Sequence, residues 1–573
     1  MIQVPSLIFF NDICNYILNI KRLIGLVAFI VIYFGQNEGK KPLVPKEKEK
    51  EEEEVTEDID NYIYLNITHY ITGKYQVNPP PNEWVDGGDR YIKIFSKKYL
   101  DSISSITIND NKIANISNEP FLTIGEYTII IEFKKSLKSV DEMFKDCTNL
   151  IELDFSEFIT ENLTSISEMF SGCSSLVSLS LLNFDTSKVR NMSYLFSNCS
   201  MINKIYLDNF VTSKVTDMKY MFCGCAQITS LNLNSFNTSK LKGIKYMFSN
   251  CYKLSNLEVG KNFVIKDIED LSGLFSDCHT LTKINITKFE TSKTKNMKSL
   301  FKNCIKLTSI DLSKFDTSKV TDMNSMFTNC YSLTSINLSL FDTSNVEDMQ
   351  DLFSTCSELK ELNLKNFKTS KVKNMKSMFT RCMSITSLDL SKFDTSNVIN
   401  MQEMFSFCQS LKELDLRKFD TSKVTDMSFM FAASTQLTSI KLSSFNTKNV
   451  LYFNNMFYGD YSLQNLNLSS FNSSNARIMD NMFVHCSALT NLDLSNFVTD
   501  NLESMKGLFA DCSNLTYIDI SKFNLQYLSE DNYTYFFPGK NDNGTVKYNS
   551  KLIKQDLIDE LFEGWEKIDL NSI

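Results

Sequence analysis

Histidine is nearly missing from this chain of 573 residues: His69, His279 and His485 are the only three, and no two of them share an ordered motif. A lone imidazole without a second ligand does not make a zinc site. The patterns G-x-S-x-G, H-E-x-x-H, the phosphate loop and G-x-G-x-x-G are absent as well. That removes the residue sets on which acyl transfer, zinc hydrolysis and nucleotide chemistry rest. No catalytic residue, metal ligand or cofactor-binding residue is assigned, no cofactor is expected, and the chain reads as not an enzyme. His279 and His485 fall beside a recurrent cysteine, in positions expected to face solvent. An excess of positive charge is lacking too. Net charge is −9 and the pI is near 5.2, which argues against a general affinity for nucleic acid or acidic membranes. Glycine (17) and proline (8) are scarce, whereas lysine, asparagine, serine and isoleucine abound, a bias that an AT-rich genome accounts for.

A long apolar run is also wanting. Leu23 to Phe34 is uninterrupted but only twelve residues long, about 18 Å as a helix against the ~30 Å of a bilayer core. The basic pair Lys21-Arg22 precedes it, as in the apolar stretch of a signal peptide, although Tyr33 and Phe34 stand where a cleavage site wants small residues. Residues 1–36 are therefore read as a cleaved signal peptide or as an uncleaved anchor with Ile17 to Phe34 crossing at a tilt. Both readings stay open, and this segment is the sole membrane contact expected. Residues 37–61, with the run KPLVPKEKEKEEEEVTEDID from Lys41 to Asp60, have no hydrophobic face and read as a disordered charged linker. Residues 62–136 read as a small β-rich N-terminal cap or module. They hold the strand-like Tyr91–Phe95 and Tyr127–Phe133 and a break at Pro79-Pro80-Pro81.

What the chain does have is a period, the first thing to seek in a long sequence. A Met-Phe or Leu-Phe pair sets phenylalanines at Phe144, Phe170, Phe196, Phe222 and Phe248, each 26 residues apart. After one 27-residue step the series resumes at Phe275 and runs through Phe301, Phe327, Phe353, Phe379, Phe405, Phe431, Phe457, Phe483 and Phe509. Thirteen of these fifteen are followed three residues later by cysteine, the exceptions being Ser434 and Asp460. A second phenylalanine recurs fourteen residues on (Phe158, Phe315, Phe341, Phe393, Phe419) and usually leads into Asp-Thr-Ser. Residues 137–525 are thus an α/β repeat solenoid, leucine-rich-repeat-like, of about fifteen coils. A solenoid grows by adding coils that bury one another's apolar edges.

In the coil from Phe327 to Leu352, Leu333, Ile336 and Leu338 give the L-x-x-L-x-L pattern of a short parallel strand. Phe341 turns inward, and Asp342, Thr343 and Ser344 are residues that bond nearby amides at turns. Val346, Met349, Leu352, Phe353 and Cys356 are spaced by three or four, which predicts a short helix. Asp348 then stands where an N-cap belongs. Methionines such as Met323, Met326, Met349, Met375 and Met378 are expected to fill the core on that side. Stacked at ~4.8 Å per coil, the rod would be roughly 70 Å long. The pattern stops after Phe523, and residues 526–573 read as a C-terminal cap. Its strand is expected at Thr545 to Tyr548, and its amphipathic helix carries Leu557, Leu561 and Phe562, with Trp565 and Ile568 after it.

The string LTSIDLSKFDTSKVTDMNSMFTNC, Leu307 to Cys330, resembles the repeat of BspA-like surface leucine-rich-repeat proteins, which occur in bacteria, mycoplasmas and some protists. The resemblance covers about two thirds of the chain and recurs in coil after coil. It implies an exported or surface-anchored protein, acting in adhesion or in binding an unknown protein or glycan. A passive structural coat or spacer and an intracellular scaffold are the alternatives.

Two features bear on how such a protein would act. The cysteine column puts neighbouring Cα atoms near 5 Å apart, within disulfide range. Eleven consecutive coils, Cys147 to Cys408, cannot pair evenly, so the column reads as free thiols packed inward, with Cys14 and Cys223 outside it. The exposed centre of the strand face reads Asp311, Asn337, Asn363, Asp389, Asp415, Lys441, Asn467, Asp493 and Asp519. Ser309, Ser335, Glu361, Ser387, Glu413 and Ser439 flank it. This row is the candidate binding face, polar and rather acidic, though a merely solvated face has the same composition. If the chain passes through a eukaryotic secretory route, Asn66, Asn532 and Asn543 are expected to carry glycan. Asn337, also in a sequon, is a poorer acceptor on a strand.

Overall fold

A computed structural model describes residues 69–78, 90–526, 528–536 and 544–571, all within a compact unit spanning Ile67–Ile573. The signal or anchor, the charged linker, Asn66 and Asn543 lie outside the described residues. Among those described, no helix is long and apolar enough to cross a membrane.

Seven strands open the unit: β1 (His69–Val77), β2 (Arg90–Tyr91), β3 (Ile103–Ile108), β4 (Asn111–Lys112), β5 (Phe121–Leu122), β6 (Gly125–Phe133) and β7 (Leu150–Asp154). Five of them form a sheet in the order β4-β3-β6-β1-β7. Alternation explains the buried side of β1, where Ile71, Tyr75 and Val77 are fully enclosed. Gly73 shares that side because a Cβ there would stand 2.8 Å from the Tyr75 ring. The Tyr75 hydroxyl, buried with its ring, donates to the Ile94 carbonyl at 2.7 Å. β7 belongs to the first coil and pairs antiparallel with β1. The edge of the first coil is thereby covered by hydrogen-bonded backbone, which answers the exposed-edge problem of any open sheet.

From there the chain winds as a β-solenoid of about fourteen turns. Where strands of successive coils pair, they pair parallel. Ser178–Ser180 pairs with Lys204–Tyr206, Ser230–Leu233 with Asn256–Val259, and Glu413–Asp415 with Ser439–Lys441. At the far end Asn491–Asp493, Tyr517–Asp519, Thr545–Tyr548 and Glu566–Asp569 run as one four-stranded parallel sheet. Between these stretches the pairing thins to isolated bridges, at Ser335–Glu361 and Ser439–Asn465. A second parallel column links Asp322, Asp348, Asn374, Asn400 and Asp426 in successive coils.

The short helix expected in each coil is not formed. Met349, Asp351, Phe353 and Thr355 send their N–H groups to the carbonyls of Asn374, Lys376, Met378 and Thr380 in the following coil, at 2.6–3.0 Å. Leu352, Ser354 and Cys356 donate back three residues, to Met349, Asp351 and Phe353. Asp351 and Thr355 take positive φ angles of 55° and 60°. An α-helix needs φ near −63° and donors pointing four residues back, so a left-handed residue at every fourth position forbids it. That four-residue rhythm reproduces helical spacing on the inward side, which is why the sequence mimics a helix. Asp348 does accept an amide as an N-cap would, from Gln350 at 2.8 Å, but a corner follows instead of a helix. The α-helix among the described residues is Gln555–Leu561, near the C-terminus.

Three inward ladders hold the coils together. All fourteen successive pairs of the first phenylalanine series, from Phe144 to Phe509, stack with centroids 5.5–6.1 Å apart and planes within 17° of parallel. Parallel rings at that separation are slipped sideways, the arrangement the ring quadrupole prefers. The second ladder is threonine. The buried Thr369 hydroxyl donates to the Asp394 carbonyl at 2.8 Å and accepts the Asp394 amide at 2.9 Å, and Thr343 and Thr421 treat Lys368 and Asn446 alike. The third is the cysteine column, whose thiols donate to phenylalanine carbonyls of the preceding coil, as Cys382 does to Phe353 at 3.2 Å.

Phe353 lies between Phe327 and Phe379 at 5.8 and 6.0 Å and is fully buried. Phe353→Ala should cost about 3–5 kcal/mol, the usual price of a large core cavity. Denaturant unfolding of the variant measures it; a loss below about 1 kcal/mol would show the ring is not core.

Candidate functional site

Eight of the nine residues assigned to the strand face are exposed. Asp519 is not. The strand Thr545–Tyr548 pairs over it, setting Lys547 opposite, and leaves it buried. The exposed row also has structural work that its sequence did not announce. Asp311 accepts the Ser313 amide, Asn337 that of Ser339, Asp389 that of Ser391, and Asp493 that of Ser495, at 2.9–3.0 Å. Asn363, Asp415, Asn467 and Asp519 do the same two residues on. Each closes the corner after the strand as an Asx turn. Asp and Asn recur at this position because the corner needs a short side chain with an acceptor oxygen. Lys441 has no such oxygen.

These turns take one carboxylate oxygen of each aspartate and the single side-chain oxygen of each asparagine. The donated amides and hydroxyls also hold the Asp311 and Asp389 carboxyls below their ordinary range. Asp415 is the most constrained. Arg417 Nη2 meets its Oδ2 at 2.6 Å, and Lys441 lies 3.9 Å away. The Arg417 side chain is the main reason its carboxyl sits at about 2. Asp389 and Asp415 border a shallow hollow with Leu388 and Arg417, and Asn467 and Asp493 border another with Leu466. The face therefore combines Asp and Asn side chains recurring at coil spacing with a single guanidinium, Arg417, and two hollows.

An aromatic row on the turn side escaped the sequence reading. Tyr194, Tyr220 and Tyr246 are half-exposed and stack at 4.5 and 5.0 Å, nearly parallel. Beyond them Gly273 takes φ +57, and a Cβ there would stand 2.1 Å from the Tyr246 ring. Tyr252 packs on His279 at 4.9 Å. The signal was available: each of the three tyrosines precedes its coil's Met-Phe or Leu-Phe phenylalanine by two residues. Asn532, one of the three asparagines expected to carry glycan, lies half-buried in the turn Glu530–Asn532.

The thirteen column cysteines are free and buried, and Cys223, off the column, is partly exposed. Burial pushes the Cys408 and Cys512 thiols up to about 12. It raises the other column thiols as well, Cys330, Cys356 and Cys382 among them. Thiols so placed are poor nucleophiles. Among the described residues no group of three or more His, Cys, Asp or Glu could hold a metal ion.

The geometry is that of a repeat solenoid with a packed interior and a polar, exposed strand face. Residues 138–259, 255–362, 347–443 and 433–546 match the family described as "Mycoplasma protein of unknown function, DUF285", and the chain belongs to that family. No curated protein matches it. Among solved structures, a leucine-rich repeat protein from Bacteroides ovatus is similar at 15% identity and a TM-score of 0.33, over 76% of this chain and 97% of that one. A leucine-rich cell surface protein from Faecalibacterium prausnitzii gives 15% and 0.29, over 70% and 87%. The pneumococcal vaccine antigen PcpA gives 13% and 0.28, over 71% and 84%.

Column thiols should resist alkylation in native buffer and react once denaturant opens the coils, without reductant, because burial limits both access and thiolate formation. Mass spectrometry under native, denatured and reduced-denatured conditions counts them. Rapid native labelling of Cys304, Cys330, Cys356 or Cys382 would contradict the inward column.

Proposed function

We propose that the protein is a non-enzymatic, exported or surface-anchored repeat protein that binds a protein or glycan through its strand face, in adhesion. One observation carries the reading. The inward hydroxyls and thiols are engaged by neighbouring coils, so recognition falls to the outside, where the stretch from Glu361 to Asp493 presents carboxylates and amides from coil to coil, with hollows beside Asp389 and Asp415 and beside Asn467 and Asp493. A ligand that is itself repetitive, such as a polysaccharide or a surface polymer, would meet several such units at once and gain affinity through multivalency. The acidic net charge gives nucleic acid no general foothold. A passive coat or spacer is the second reading, and it has an observation of its own: the Asp and Asn of the face already spend one oxygen on their own corners.

Glu361, Glu413 and Lys441 are exposed and close no Asx corner, so their replacement separates the two readings. Purified protein is presented to glycan arrays and crosslinked to intact cells, alongside the triple variant Glu361→Ala, Glu413→Ala, Lys441→Ala. Binding should fall about tenfold or more while thermal stability stays put, since exposed side chains rarely move stability by more than about 0.5 kcal/mol. Capture that is unchanged in the variant would sink the strand face as the site. Protease shaving of intact cells tests the location, and a chain that survives until lysis contradicts surface display.

A further inference from the structure

The cysteine column contains two substitutions, side by side in the rod, and their bonding is unequal. In an ordinary coil the column side chain has two duties. It accepts an amide from the column residue one coil earlier, as Cys382 does from Cys356 and Cys408 from Cys382, and it donates to the phenylalanine carbonyl 29 residues earlier. Cys408 donates to Phe379 at 3.2 Å and Cys486 to Phe457 at 3.0 Å. Ser434 performs both duties with its hydroxyl: it donates to Phe405 at 2.8 Å and accepts the Cys408 amide at 3.2 Å. Asp460 performs the first, its Oδ1 accepting the Ser434 amide at 2.9 Å. Its Oδ2 is buried with no hydrogen-bond partner. The carbonyl that the register assigns to it, Phe431, receives the local Ser434 amide at 3.2 Å and no column donor.

A thiol, a hydroxyl and a protonated carboxyl can each accept and donate, whereas a carboxylate can only accept. We propose that Asp460 stands in the column as the neutral acid, its O–H donated to the Phe431 carbonyl, and that the joint between the coils of Phe431 and Phe457 is therefore held in acid and loosened in base. Asp460 is fully buried, where an ionised carboxyl without a partner is strongly disfavoured. Burial drives its carboxyl well above the usual range, against the opposing pull of the Ser434 amide. The titratable groups facing it are the Cys408 and Cys486 thiols, both held neutral by burial. On its own coil Tyr458 and Tyr461 flank it and pack against His485 of the next coil, which pairs with Asp511 at 3.1 Å. Among the described residues no lysine or arginine forms an ion pair with it.

The direction of the effect follows from linkage. A carboxyl whose native pKa is raised binds its proton more tightly when folded. Its contribution is complete below the unfolded value near ~4 and is lost as pH rises through the native value. Each pH unit in that window should lower the folding equilibrium constant by up to about tenfold. The Asp460→Asn variant, whose amide accepts and donates at any pH, supplies the reference, and Asp460→Cys replaces it should the first fail to fold. Infrared difference spectra of the full chain, wild type minus reference at neutral pH, should show the carbonyl stretch of a protonated acid. Between about pH 5 and about pH 8 the wild-type melting midpoint should fall relative to the reference. Alkylation of Cys486 should rise over the same range, measured against Cys330. A carboxylate band in the difference spectrum, or an offset between wild type and reference that does not change with pH, overturns the proposal.

Discussion

Coil-to-coil hydrogen bonding at fixed register is the constraint on which the rest of this molecule depends. A single coil of 26 residues cannot bury its own phenylalanines or satisfy its own inward polar groups. Thr369 shows how the difficulty is met. Its hydroxyl, enclosed and cut off from water, takes both the amide and the carbonyl of Asp394 one coil ahead. The column thiols do a related service in the other direction. Because each such bond recurs at a constant offset, 25 residues for the threonines and 29 for the thiols, a side chain that suits one coil suits the next, and the sequence repeats. The same logic accounts for backbone conformations that would otherwise be costly. Bulky residues such as Arg381 and Phe407 are held at φ near +59°, a region disfavoured by about 1–2 kcal/mol for L-residues. Each gains a hydrogen bond to the following coil, at 2.7–2.8 Å.

Most of the architecture could be read from spacing, and the failures are instructive. The period, the inward phenylalanines and the inward cysteines follow from which residue types recur, since burial is what fixes a column. The path between columns does not follow. Met349, Leu352, Phe353 and Cys356 have helical spacing, and the positive φ of the Asp351 position falls in other coils on glutamate, tyrosine and serine, which give no sign of it; the Thr355 position does give one, being glycine, asparagine or aspartate in ten of the fifteen coils, Gly172, Asn198, Gly224 and Asn329 among them. The row Asp311 to Asp493 was legible as polar and exposed. Its role in closing corners was not, because that role depends on where an amide two residues on happens to point. Asp519 looked like any other member of the row until the next strand covered it. Tyr194, Tyr220 and Tyr246 kept the period and could have been found by tabulating the position two before the phenylalanine.

Repetition inside dictates repetition outside, so whatever the surface offers is offered many times at nearly constant intervals. Departures from the repeat then acquire meaning. Arg417 and Lys441 interrupt an acidic row, the three tyrosines interrupt a polar turn, and Ser434 with Asp460 interrupts the thiols. Membership of a family without an assigned role leaves such departures as the best guide to what distinguishes this chain's surface and its joints.

The central claim is that cohesion resides in ladders that are in register from coil to coil, and excising one coil tests it most directly. Deleting residues 353–378 removes 26 residues and joins Leu352 to Phe379, which restores the Leu-Phe pair. A second deletion, of about half that length, puts every ladder out of register by construction. Native thiol labelling together with cooperative melting reads the outcome. The whole-coil deletion should keep its remaining column cysteines inert and melt as a folded rod, while the half-coil deletion exposes thiols. Equal damage from the two deletions would contradict the account.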